Sequence, residues 1–170
     1  LTASMKKKGS REIRIWCAGC SSGEEPYTLA MLLHEHFGRE IGSWDVGILA
    51  TDISSRVLEK AIAGVYEADN VNRLPAALKH AYFDRAGQES FVVREKVKKL
   101  ILFRKLNLMR EDFPFKRRFH MIFCRNVMIY FDMPTRMGLV ERFHRHMEAG
   151  GYLFIGHSES LGRSNELFRY

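Results

Sequence analysis

The chain has 170 residues, 46% of them hydrophobic and 28% charged, with a formal net charge of +7. That is about one domain's worth of chain. No stretch approaches the roughly 20 apolar residues of a membrane span, and no apolar run follows the basic N-terminus as a signal peptide requires, so a cytoplasmic location and no membrane insertion are expected.

Residues 1–12 (LTASMKKKGSRE) are polar and basic and read as a tail or linker. Residues 13–19 (IRIWCAG) are a short apolar run ending in a turn, the pattern of a buried strand. A loop, CSSGEEP, leads into residues 27–37, whose apolar positions recur at helical spacing, with Pro26 suited to the first turn. Residues 46–52 (VGILATD) form a second buried strand. Ser54 or Ser55 is placed to cap a helix carrying Val57, Leu58, Ala61 and Ile62. Apolar strands that do not alternate are buried on both faces, so strand–helix–strand–helix predicts an α/β fold with a doubly wound, mostly parallel sheet. Residues 75–83 suggest a short helix. Residues 90–108 hold two β-rich stretches around a charged middle, as in a hairpin or small β excursion. Then come a buried strand at 119–126, an amphipathic helix at 134–147 ended by Gly150 and Gly151, and a further strand at 152–157.

Chemistry concentrates at the strand ends. Cys17 and Cys20 form a C-x-x-C, which suits half a zinc site or a redox pair. With only Cys124 left over, no second pair completes a zinc site, and the glycine-rich turn runs on past Cys20, so two structural thiols in a tight turn are the better reading. The odd count also argues against a disulfide framework. Gly19 and Gly23 let a ligand approach the backbone after the first strand. Neither G-x-G-x-x-G nor a P-loop is present, and Glu24 and Glu25 would repel a pyrophosphate. The two acids suit an amino group, a sulfonium or a ribose diol, or else complement the helix dipole. Asp52 ends the second strand, where an acid accepts from ribose hydroxyls or caps a turn. Arg125 and Asn126 end another buried strand, at the edge where open α/β sheets bind ligands; the arginine would otherwise pair with a nearby acid. Asn107 follows an apolar strand and suits a base edge. The basic residues are scattered apart from Lys6–Lys8, 96–99 and 116–118. That pattern fits a solvated surface or an anionic partner, without the aromatic-interleaved stripe of a single-strand nucleic-acid binder.

Taken together, WCAGCSSGEEPYTLAM, ILATDIS, LEKAIAGVY, FRKLNLM, FHMIFCRNVMIYFD and GGYLFIGHSESL resemble the CheR-type chemotaxis receptor methyltransferases, in that family's order. The resemblance implies a Rossmann-like methyltransferase sheet over residues 13–170, with a small β-subdomain inserted around 84–103. It implies S-adenosyl-L-methionine as donor, S-adenosyl-L-homocysteine as product, and glutamates on the acidic cytoplasmic helices of a methyl-accepting chemotaxis receptor as acceptors, with no nucleic-acid partner and no metal. Glu24, Asp52, Asn107, Leu108, Arg125 and Asn126 then fall where the family contacts the cofactor, with Glu25 beside them. No acid–base catalyst is implied; Arg125 is the one candidate for a catalytic role. The stretch 87–94 falls in the subdomain that docks the receptor tail in some relatives. His120 stands where the family usually has aspartate, and is expected to be exposed on a strand edge. The family's N-terminal helical domain is absent from the 170 residues and the last expected strand lies past Tyr170, so a fragment is expected. A cofactor-binding sensor or scaffold without methyl transfer is the alternative function.

Overall fold

The computed structural model describes residues 9–161 and 167–169; most of the predicted tail, with Lys6–Lys8, lies outside them. Five strands make a wholly parallel central sheet: β1 (Glu12–Ala18), β2 (Asp45–Asp52), β6 (Ile101–Lys105), β7 (Phe119–Cys124) and β8 (Met147–Ile155), in the order β6-β2-β1-β7-β8. The chain runs outward from β1 through β2 to β6. It then returns to the other side of β1 for β7 and β8. The order therefore reverses between β1 and β7, and that crevice is where open α/β sheets take ligands.

β1 shows why an unbroken apolar run signals a strand buried on both faces. Ile13, Ile15 and Cys17 belong to one core, with Tyr27, Ala30, Met31 and Leu33 of helix α1 (Glu24–Phe37) and Leu58 of helix α2 (Ser55–Ala63). Trp16 and Ala18 point into the other core. There they meet Leu139, Val140 and Phe143 of helix α6 (Met133–Arg145), at the 3–4 spacing that lays one helix face on a sheet. Trp16 packs within 4.9–5.5 Å of the rings of Phe113, Phe115, Phe119 and Phe143, and its indole N–H donates to the Thr51 hydroxyl. Asp132 caps α6 by accepting from the Thr135 N–H. Ser54 stands at the N-cap of α2, but its side chain makes no capping bond.

Between α2 and β6 the chain builds a separate antiparallel sheet. Its strands are β3 (Val65–Glu67), β4 (Phe83–Arg85) and β5 (Ser90–Val93), in the order β3-β5-β4, joined through short helices α3 (Ala68–Val71) and α4 (Ala76–Tyr82). The expected small inserted β-sheet is therefore present, while residues 90–108 do not pair with each other as a hairpin. The first β-rich stretch of residues 90–108 pairs with β3 and β4. The second is β6, parallel to β2 in the central sheet. The charged middle is one helical turn, α5 (Glu95–Lys98), which carries the chain from one sheet to the other. The small sheet thus spans 65–93 rather than 84–103, because strand partners are chosen by non-local pairing that local pattern does not encode.

Two further expectations are corrected. Gly150 and Gly151 do not end the helix: α6 stops at Arg145, and β8 already pairs at Met147 with Phe119. Pairing resumes at Met121 with Tyr152, so residues 148–151 bulge opposite His120. A Cβ on Gly151 would stand 3.0 Å from the His120 carbonyl oxygen. His120 itself is on an interior strand, not an edge. Its Nδ1 accepts the Arg14 backbone N–H at 3.0 Å, and burial, with the Arg14 charge beside it, holds its pKa below the usual 6.5.

Candidate functional site

The carboxyl ends of β1, β2, β6 and β7 converge on a cleft of about 570 Å³. Gly19, Asp52, Asn107, Leu108, Arg125 and Asn126 are among its lining residues. Five of the seven predicted ligand contacts, scattered in sequence from Asp52 to Asn126, therefore share one crevice at the switch point. The two glutamates do not line it. Glu24 is exposed and accepts from the Ser22 hydroxyl. Glu25 lies behind the cleft wall and reaches it through Arg125, whose guanidinium donates to Oε2 at 3.2 Å.

The loop after β1 is held against the next strand. The N–H groups of Gly19 and Cys20 both donate to the Thr51 carbonyl, and the Ser21 N–H donates to Asp52 Oδ2 at 2.9 Å. Gly19 has φ +85°, and a Cβ there would sit 2.4 Å from Val127 Cγ2. Only glycine lets the first loop and the loop after β7 close on one another. The other Asp52 oxygen accepts the Ser54 N–H at 2.9 Å. Two backbone donors thus orient the Asp52 carboxylate, and a lone pair remains on each oxygen for a ligand hydroxyl. Asn107 turns its carboxamide oxygen to the Met109 N–H at 2.9 Å, which leaves the NH₂ as the group it can offer.

Burial raises the Glu25 pKa, and hydrogen bonds from Arg125 and from the Cys17 thiol pull it back. The two thiols beside it are held in their protonated form. Burial, then the Glu25 charge, pushes Cys17 well up, and burial with the Asp52 charge pushes Cys20 to about 12. Cys124 is likewise buried with a raised pKa.

The sequence reading missed the apolar lining residues, Val127, Tyr130 and Phe131 among them, and also an acid that stands outside the cleft but is bonded to one of its walls. Glu159 is 7% exposed, and its carboxylate accepts four backbone N–H groups: Val127 and Ile129 on Oε1, Asn126 and Gly156 on Oε2, at 2.5–3.2 Å. The available signal was an acid within the apolar and glycine-bearing string GYLFIGHSESL, where a charge has no reason to be buried unless it is bonded.

Comparison with known proteins identifies the family. The family model described as CheR methyltransferase, SAM binding domain, matches residues 1–170. The chain is 48% identical over 170 residues to a chemotaxis protein methyltransferase of Borreliella burgdorferi, covering 100% of this chain and 60% of that protein. It is 38% identical over 171 residues to the chemotaxis protein methyltransferase of Escherichia coli, covering 99% and 59% respectively. It thus spans about 60% of the length of these relatives. Among solved structures, the CcbJ methyltransferase of Streptomyces caelestis superposes with a TM-score of 0.51 at 13% identity, over 91% of this chain and 46% of that one. That likeness shows the fold alone.

Proposed function

From the premise that the chain belongs to the CheR methyltransferase family, in its SAM-binding domain, we propose that it binds S-adenosylmethionine in the switch-point cleft and serves methyl transfer to glutamate side chains of a chemotaxis receptor, in the cytoplasm. The observation that carries this reading is Asp52. Its carboxylate is fixed by two backbone N–H groups at the end of β2, in the same cleft as Asn107, Leu108, Arg125 and Asn126.

The residues fit the cofactor. Gly19 lines the cleft with its backbone, the space where a Cβ would stand being filled by Val127. Asp52 supplies acceptors for ribose hydroxyls. The Asn107 NH₂ and the backbone beside buried Leu108 flank the place for a base edge. Arg125, half exposed, is the cation available to an amino-acid carboxylate, and Glu25, outside the cleft, holds that guanidinium in place. Asn126 takes φ +59° and brings its own side chain to the cleft wall.

When bound, the sulfonium supplies an electrophilic methyl group to an incoming carboxylate in a direct displacement. The acceptor glutamate is already ionised at neutral pH, given an unperturbed pKa near 4.3. The protein therefore needs no general base. Its work is to orient the two reactants and to keep water out. Arg125 is suited to a second task, since a cation beside the cleft favours the approach of an acidic receptor helix. The formal charge of +7 steers the same partner, an attraction that weakens as salt is added.

Calorimetric titration with S-adenosylhomocysteine, with NAD as control, tests the cofactor reading. Saturable and selective binding is expected; no binding rejects it. Methyl transfer to a receptor fragment then separates an enzyme from a cofactor-binding sensor or scaffold.

A further inference from the structure

Glu159 lines no part of the cleft, yet most of one cleft wall hangs on it. Arg125, Asn126, Val127, Tyr130 and Phe131 of that wall belong to the loop after β7. Three N–H groups of this loop, from Asn126, Val127 and Ile129, converge on the Glu159 carboxylate. The fourth donor, Gly156, directly follows β8. A Cβ on Gly156 would stand 2.6 Å from Glu159 Oε2 and 2.9 Å from the Asn126 nitrogen, so the glycine is what admits the carboxylate. The held loop includes Asn126, whose φ of +59° lies in the left-handed region that asparagine tolerates better than other side chains. It also includes Val127, whose methyl meets the open side of Gly19. One buried carboxylate thus joins the ends of β7 and β8 and, through Val127, presses against the loop after β1.

We infer that Glu159 is a positioning residue for cofactor binding: its carboxylate holds the 125–131 loop in the shape that forms the cleft wall. The inference rests on the cofactor reading of the cleft. Glutamine in its place keeps the shape, but it turns an NH₂ toward two backbone donors, so two of the four bonds are lost. A shorter aspartate cannot reach all four.

The test is titration with S-adenosylhomocysteine of the unaltered protein, E159Q, E159D and, as a control, V97A, with thermal unfolding of each. Val97 is fully buried on α5 in the first core, which includes no residue of the 125–131 loop, so V97A lowers Tm and leaves affinity intact. E159Q is expected to lose about tenfold or more in affinity, the scale of one lost charged hydrogen bond, with E159D between it and the unaltered protein. Binding by the unaltered protein together with unchanged affinity in E159Q overturns the inference and leaves the cofactor reading standing. Should E159Q fail to fold, the affinity of E159D decides the same question. Should the unaltered protein not bind at all, the cofactor reading falls, and with it the inference. Amide exchange at Asn126, Val127 and Ile129 shows the holding directly: slow in the unaltered protein and fast in the Glu159 variants is expected, and equal rates overturn it.

Discussion

The loop after β1 and the loop after β7 face each other across the switch point, and they are built on different logic. The first is closed by its neighbours: Gly19 takes a left-handed φ, and its partners are Thr51 and Asp52 at the end of the adjacent strand. The second is closed by a side chain 30 to 33 residues further on, since Ile129, Val127 and Asn126 all donate to Glu159. A loop that fixes itself with glycine and adjacent backbone announces its role in a short string of sequence. A loop fixed by a distant buried carboxylate does not.

Breaking the meeting point of the two loops should have the largest effect. Gly19→Ala puts a Cβ into Val127 at a residue with φ +85°. Left-handed strain and overpacking together are expected to cost about 2–4 kcal/mol, read by denaturant unfolding, with cofactor binding lost in calorimetry. Unfolding like that of the unaltered protein would mean that the loops do not press on one another.

Asp52→Ala acts on the first loop alone. It removes the acceptor proposed for the ribose hydroxyls and leaves the N–H groups of Ser21 and Ser54 without their partner. Cofactor binding should weaken by ~1–3 kcal/mol. Unchanged affinity for S-adenosylhomocysteine would reject the role given to this residue.

Glu25→Gln tests the bridge between the loops, through Arg125. The pair is partly exposed, so stability should move by less than about 1 kcal/mol. The pH response is more telling. The folded state holds the Glu25 proton to higher pH than the unfolded chain does. That stabilisation is complete below the ordinary value of 4.5 and is lost as pH rises through the raised value. Unfolding curves across this window should be flatter in the glutamine variant.

The smallest effect on the site is expected from His120, at the other end of the sheet. Its pKa is lowered, so its contribution is complete above the ordinary 6.5 and is lost as pH falls through the lowered value. His120→Asn should remove that acid-side slope in thermal unfolding while leaving cofactor affinity unmoved. A change in affinity would show that the two ends of β7 are coupled.

Much of the fold was legible because double-sided burial leaves a plain mark. Strands β1, β2 and β7 are apolar at successive positions, with Ile15 facing one core and Trp16 the other. The site was legible where a residue type is out of place for a core: an acid closing β2, and an arginine and asparagine closing β7. The destination of residues 101–105 was not legible, since a strand looks the same whether it joins a hairpin or a central sheet. Nor was the purpose of Gly150 and Gly151, which serve a bulge against β7 rather than a helix end. No helix among the described residues is long and apolar enough to cross a membrane.

The sequence by itself determined the α/β class, the parallel strands, the order of the motifs and most of the polar residue types that line the cleft. All of these follow from periodicity and from chemistry carried within a few residues. Only the tertiary structure decided that β6 joins the central sheet, that Glu25 reaches the cleft through Arg125 rather than directly, and that Glu159 shapes the wall opposite Gly19. Each of these depends on which distant groups become neighbours once the chain has crossed over, and on where a buried carboxylate finds its four donors.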